Sequence, residues 1–212
     1  EVGLAGGVGL LGDISTSDDS LAAFENACRD VAVRGVSFRE VFGWSPERVA
    51  EQIEIAERHV VSLGGTVARA LSPHAPYSVH PDLLAATVEL AVQYNVPLAM
   101  HLAETREELE LLDRLCGPFA DFLKSRGLWN DVAIAPGTQP LRYLESLAEV
   151  THALAIHGNY FGDQEIEFLS RHSNIAVVYC PRTHAYFRHS PHPWEQLVTD
   201  GATVILGTDG RS

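Results

Sequence analysis

Residues 66–104 read TVARALSPHAPYSVHPDLLAATVELAVQYNVPLAMHLAE. Thr66–Leu71 is a short run with apolar and β-branched character, and the turn chemistry of Ser72-Pro73-His74-Ala75-Pro76-Tyr77 stops it. Pro81–Tyr94 then follows a helical period, with Leu83, Leu84, Val88 and Ala91 on one side. Pro97–His101 is apolar again and breaks into polar residues. A strand, a helix and a second strand of this length form a crossover unit, which makes the two strands parallel.

The same alternation extends outward in both directions. Strands are expected at Val8–Ile14, Val33–Val41, His152–His157, Ile175–Cys180 and Thr203–Gly207, giving seven in all. Further helices are expected at Pro46–Leu63, Thr105–Leu115, Leu141–Ala148, Gln164–Arg171 and Trp194–Thr199. The first of these has Ser45 as N-cap, Pro46 at its first position and a stripe of Val49, Ile53, Ala56, Val60 and Leu63. Gly64-Gly65 and Gly201 stand where helices should stop. Asn130–Pro140, with two prolines, is the expected irregular stretch. The expected class is α/β, and two closures fit it: an open doubly wound sheet, or a barrel of eight βα units. A full barrel takes about 250 residues. Seven units in 212 residues are a barrel short of one, and both ends of the sequence look cut from something longer. Residues 1–212 are read as one domain.

A formal net charge of −13 argues against a generic nucleic-acid binder and a polybasic membrane anchor. No apolar run has the length of a membrane span. Cys28, Cys116 and Cys180 are far apart and include no Cys-x-x-Cys, so a reduced, cytoplasmic protein is expected. Gly7-x-Gly9-x-x-Gly12 matches a dinucleotide fingerprint in letters only. No strand precedes it and Asp13-Ile14 continues an apolar run rather than starting a helix.

In a barrel the chemistry lies on the loops after the strands. Those loops carry His74, His101 with Glu104, His157, the run Cys180-Pro181-Arg182-Thr183-His184, and Asp209. Imidazole and carboxylate groups at successive strand ends suit a hydrolytic site holding Zn²⁺ or Fe²⁺. Such a metal lowers the pKa of a bound water to roughly 7. His101 and Glu104 converge only if the strand ends at His101 and the chain turns there. His101 is then free to ligate a metal while Glu104 carries protons.

The ordered set SPHAPYSV, MHLAET, AIHG, YCPRTH and LGTDG resembles the deaminase and chlorohydrolase branch of the amidohydrolase superfamily, over nearly the whole chain from about Val8. The resemblance implies a (β/α)8 TIM-type barrel, here lacking about the first βα unit and the accessory β-sandwich. It implies His101 and Asp209 as metal ligands and Glu104 as general acid/base. His157 matches the histidine that orients the attacking water, and His74 a substrate-contacting residue. It also implies one divalent metal, zinc with iron as the alternative. The reaction implied is hydrolysis of a non-peptide carbon–nitrogen bond in a small heterocycle, releasing ammonia from a substrate such as a purine nucleoside derivative. A homodimer is left open.

Two departures from the family pattern stand out. The first-strand His-x-His pair is absent, and the strand end at Ser72-Pro73-His74 has no lysine, which favours the one-metal type. The competing reading is a catalytically incomplete barrel fragment with an open edge. A chlorohydrolase or cyclic amidase of the same superfamily is the other. Of the remaining histidines, His59, His80 and His172 are expected on the solvated surface, and His152 has no expected role. His189 and His192 are expected to shape a loop. Arg39, Arg182 and His184 are candidates for holding an anionic group.

Overall fold

The computed structural model describes residues 7–62, 65–130 and 133–210. All seven expected strands are present: β1 Leu10–Ser15, β2 Arg34–Val41, β3 Ala68–Pro73, β4 Leu98–Leu102, β5 Ala153–His157, β6 Ile175–Tyr179 and β7 Thr203–Leu206. They form one all-parallel sheet in the order β1-β2-β3-β4-β5-β6-β7. That order has no reversal point, so the doubly wound alternative is excluded and the barrel arrangement stands. β1 and β7 are the two ends of the sheet.

Nine helices lie among the described residues: α1 Leu21–Asp30, α2 Pro46–Val61, α3 Pro81–Tyr94, α4 Arg106–Arg114, α5 Pro118–Ser125, α6 Pro140–Leu147, α7 Asp163–Arg171, α8 Pro181–Tyr186 and α9 Trp194–Thr199. Ser45 caps α2 as expected, its side chain accepting from the Arg48 backbone N–H. That helix ends at Val61, with Ser62 extended as its C-cap, two residues short of the expected end; Leu63 and Gly64 lie outside the described residues. Three helices, α1, α5 and α8, were not expected from the sequence. The run after β6 was expected as loop and is α8, which buries no residue and so has no apolar period to detect. None of the described helices is long and apolar enough to cross a membrane.

The two faces of the sheet build two cores. The larger lies between strands and helices and includes Val41, Leu71, Leu98, Met100, Leu102, Ala155 and Val177, with Leu83 and Ala91 of α3 and Leu169 of α7. The smaller lies on the other face and takes one layer from successive strands: Phe38, Ala70, Ala99, Ile156, Val178 and Cys180. Alternate residues of one strand serve opposite cores, as the period-two geometry requires. The inner layer continues upward through Glu40, Ser72 and His74, and His101, which places polar groups where the apolar layer ends.

The sheet is curled. Neighbouring strands lie about 4.8 Å apart, so a flat sheet would separate β4 from β7 by roughly 14 Å. Yet the ligand atoms of Glu104, His157 and Asp209, which follow β4, β5 and β7, all lie within 4.8 Å of one another. Only curvature about the inner face brings them together.

Candidate metal and catalytic site

His101 sits on β4 itself, one residue before the strand ends at Leu102. The sequence argument put the turn at His101. It falls at Ala103, whose φ is +51°, and this left-handed residue redirects Glu104 back over the inner face. His157 ends β5 with φ +72°, which lifts its imidazole out of the helix-facing alternation. Asp209 has φ +51°.

The side chains converge. The rings of His74 and His101 lie 5.1 Å apart and those of His101 and His157 5.5 Å. Nε2 of His157 is 3.6 Å from Oε1 of Glu104. All five residues singled out in the sequence therefore meet at the C-terminal end of the curled sheet.

Hydrogen bonds fix the tautomers. Nδ1 of His101 donates to the backbone carbonyl of His74 at 3.1 Å, which leaves its Nε2 lone pair free for a metal. The Ser78 hydroxyl donates to the Ala75 carbonyl, so Nδ1 of His74 donates to Ser78 Oγ at 2.5 Å and its Nε2 is an acceptor. Nε2 of His192 donates to the carbonyl of His157 at 2.8 Å.

Burial drives the local proton affinities. It pushes His157 down to about 3, helped by the His101 imidazole, and His74 down to about 4 for the same two reasons. Burial also lowers His101, against the opposing pull of the His74 carbonyl and Asp209. Burial raises Glu104, and the charge of Asp209 adds to the rise. Burial alone would raise Asp209, but the Gly210 N–H, the Thr183 hydroxyl and the imidazoles of His157 and His101 outweigh it and hold Asp209 low. A carboxyl shifted toward its protonated form beside a carboxylate held ionised is an acid/base arrangement.

This donor set fits a divalent metal. The free Nε2 of His101 and the ionised Asp209 are the ligand types such an ion takes, and the imidazoles are neutral at pH 7. Glu40, at the end of β2, was missed in the sequence although the strand-end rule applies to it. Its carboxyl is 4.0 Å from Nδ1 of His101 and is raised by burial. Glu40, His74 and His101 form a second cluster of ligand-type groups. The other cluster is Glu104, His157 and Asp209, so His101 and Asp209 belong to different clusters of this set.

Other expectations need correction. His59 is buried rather than solvated, with Nδ1 2.8 Å from Asp18 Oδ1 and Nε2 3.1 Å from the Ser37 carbonyl. It shares the apolar stripe of α2, three residues past Ala56. His80 caps α3, and His172 is half-buried against Phe168. Arg39 is largely covered and lies 3.8 Å from Asp18. Arg182 is exposed on α8. His184 Nε2 donates to the Ser190 carbonyl at 2.8 Å.

The curled parallel sheet gathers imidazole and carboxyl groups at its strand ends, the place where barrel folds carry their chemistry. The chain belongs to the Amidohydrolase family, whose profile matches residues 4–212. It is 28% identical over 216 residues to the 5-methylthioadenosine/S-adenosylhomocysteine deaminase of Symbiobacterium thermophilum, covering 99% of this chain and 44% of that protein. Among solved structures it is similar to Helicobacter pylori aminofutalosine deaminase in complex with methylthio-coformycin, at TM-score 0.77, 23% identity and coverage of 97% and 50%. It is also similar to the zinc complex of atrazine chlorohydrolase from Arthrobacter aurescens TC1, at TM-score 0.71, 19% identity and coverage of 98% and 46%. The chain thus spans about half the length of these relatives or less.

Proposed function

We propose that the protein carrying this chain is a metal-dependent aminohydrolase that releases ammonia from an adenosine derivative. Residues 1–212 serve as one barrel-type hydrolase domain within it. The observation that supports this most is the placing of Glu104 against His157 beside His101 and Asp209, in a chain whose curated relative deaminates methylthioadenosine and S-adenosylhomocysteine.

His101 and Asp209 would hold a divalent metal, zinc with iron as the alternative, which would supply Lewis-acid activation of water. Glu104, whose proton affinity burial and Asp209 raise, is placed to give a proton to the ring nitrogen beside the reacting carbon. The same carboxyl then takes a proton from the attacking water and hands it to the departing amine. His157 is neutral, so it orients that water by hydrogen bonding rather than repelling the metal. Ionised Asp209 accepts from the same water. His74 presents a lone pair at Nε2 to a donor on the substrate. Three unpaired thiols, Cys28, Cys116 and Cys180, fit a reducing, cytoplasmic setting.

The test is ammonia release by the full-length protein from methylthioadenosine, S-adenosylhomocysteine, guanine and a chlorinated triazine, with chloride release followed alongside. Turnover of an adenosine derivative that a chelator abolishes and zinc or iron restores is expected. Chelator-insensitive turnover, or chloride as the sole product, contradicts the proposal.

A further inference from the structure

Glu104 has to be held in place, because it leaves the sheet at a left-handed non-glycine residue, Ala103, and its carboxyl must sit 3.6 Å from Nε2 of His157. The carboxyl of Glu108 is fully buried. Its Oε1 accepts the Ala103 backbone N–H at 2.8 Å and its Oε2 the Glu104 backbone N–H at 3.0 Å. From the other side, Nδ2 of the buried Asn159 donates to the Glu104 backbone carbonyl at 3.0 Å.

Capping of α4 does not need this arrangement. Thr105 is the N-cap and its hydroxyl already accepts the Glu108 N–H at 3.2 Å. In an ordinary capping box the glutamate would reach back to the N-cap N–H. Here the Thr105 N–H also pulls on the Glu108 carboxyl, but its hydrogen bonds reach further, to the two residues before Thr105, and a buried carboxyl is costly without such partners. Asn159 lies two residues after His157, in the loop between β5 and α7. The two loops are also tied by the Gly158 N–H, which donates to the Leu102 carbonyl at 2.9 Å. The contacts therefore fix Glu104 relative to its own turn and relative to the His157 loop.

We propose that Glu108 and Asn159 are positioning residues that clamp the backbone on both sides of Glu104 and set its carboxyl against His157. This rests on the reading of Glu104 as the acid/base. Both side chains act on backbone atoms of Ala103 and Glu104. Their contribution is geometric, and misplacement of a reacting group by about 1 Å can cost roughly 10²-fold in rate.

The experiment uses the full-length, metal-loaded enzyme and four substitutions: Asn159→Ala, Glu108→Gln, Glu104→Gln, and Asn159→Ala combined with Glu104→Gln. Glutamine at 108 turns a donor toward one of the two backbone N–H groups. Asn159→Ala and Glu108→Gln are expected to keep metal content, leave KM within about twofold and lower kcat by about 10- to 100-fold. In the Glu104→Gln background, Asn159→Ala is expected to cost nothing further, because the group it positions no longer carries a proton. Should Glu108→Gln fail to fold, Asn159→Ala alone decides the matter, since it removes a single hydrogen bond from a loop. An unchanged kcat in Asn159→Ala overturns the proposal, as does an equal loss in both backgrounds. Full turnover by Glu104→Gln overturns the acid/base reading and this proposal with it.

Discussion

Nε2 of His157 stands 3.6 Å from Oε1 of Glu104, although the two residues leave different strands of the sheet. Each reaches that position through a left-handed residue, His157 itself and Ala103 before Glu104. Asparagine tolerates that conformation better than most residues but carries no imidazole. His157→Asn is therefore expected to fold with little change in Tm while kcat falls by about 10²-fold or more. Full activity in this variant would remove His157 from the mechanism.

His101 has one nitrogen committed to the His74 carbonyl and the other free. His101→Ala is expected to lose metal and activity together, since a ligand is removed rather than a proton carrier. Metal analysis of the purified full-length variant checks this. Undiminished metal content would assign the ion to other residues.

Glu108 gives a pH signature of stability. Burial pushes it up to about 8 from an ordinary 4.5, against the pull of the Ala103, Glu104 and Thr105 N–H groups. The folded protein thus binds this proton more tightly than the unfolded chain. Its stabilising share is complete below about pH 4 and is lost as the pH rises through about 8. The fall in Tm between pH 6 and pH 9 is expected to be smaller in Glu108→Gln than in the parent protein. An identical fall in both would contradict the assignment.

Gly158 follows His157 with φ +64°, and a Cβ there would lie 2.6 Å from Phe161 Cε2 and 3.2 Å from Val177 Cγ1. Gly158→Ala combines backbone strain with overpacking. A loss of about 1–3 kcal/mol is expected in urea unfolding. A neutral result would show that Phe161 swings aside freely.

The strands were legible because each is a short apolar run ended by turn chemistry, and the observed bounds differ from the expected ones by no more than two residues. The strand-end rule then gave the loops that hold His74, His101, Glu104, His157 and Asp209, along with the run Cys180–His184, and the family resemblance picked out the five. Helices α1, α5 and α8 escaped: α8 buries nothing, and α1 buries only Cys28. Glu108 was legible in part, as Thr105-x-x-Glu108 is a capping-box pattern. Its reach to Ala103 and Glu104 depends on the left-handed turn, which no residue type announces. Asn159 and His192 act on backbone atoms of residues distant or offset in sequence, and only the curled sheet brings them there.

On the proposed function, Glu104 moves protons beside a metal it does not bind. Kinetics and metal stoichiometry of full-length Glu104→Gln, measured on one preparation with methylthioadenosine as substrate, test it most directly. The account expects about one metal per chain, as in the parent protein, with turnover reduced by about 10⁴-fold, the upper end for a general acid/base. Loss of the metal would make Glu104 a ligand, and retention of most of the turnover would make it a bystander; either result contradicts the account.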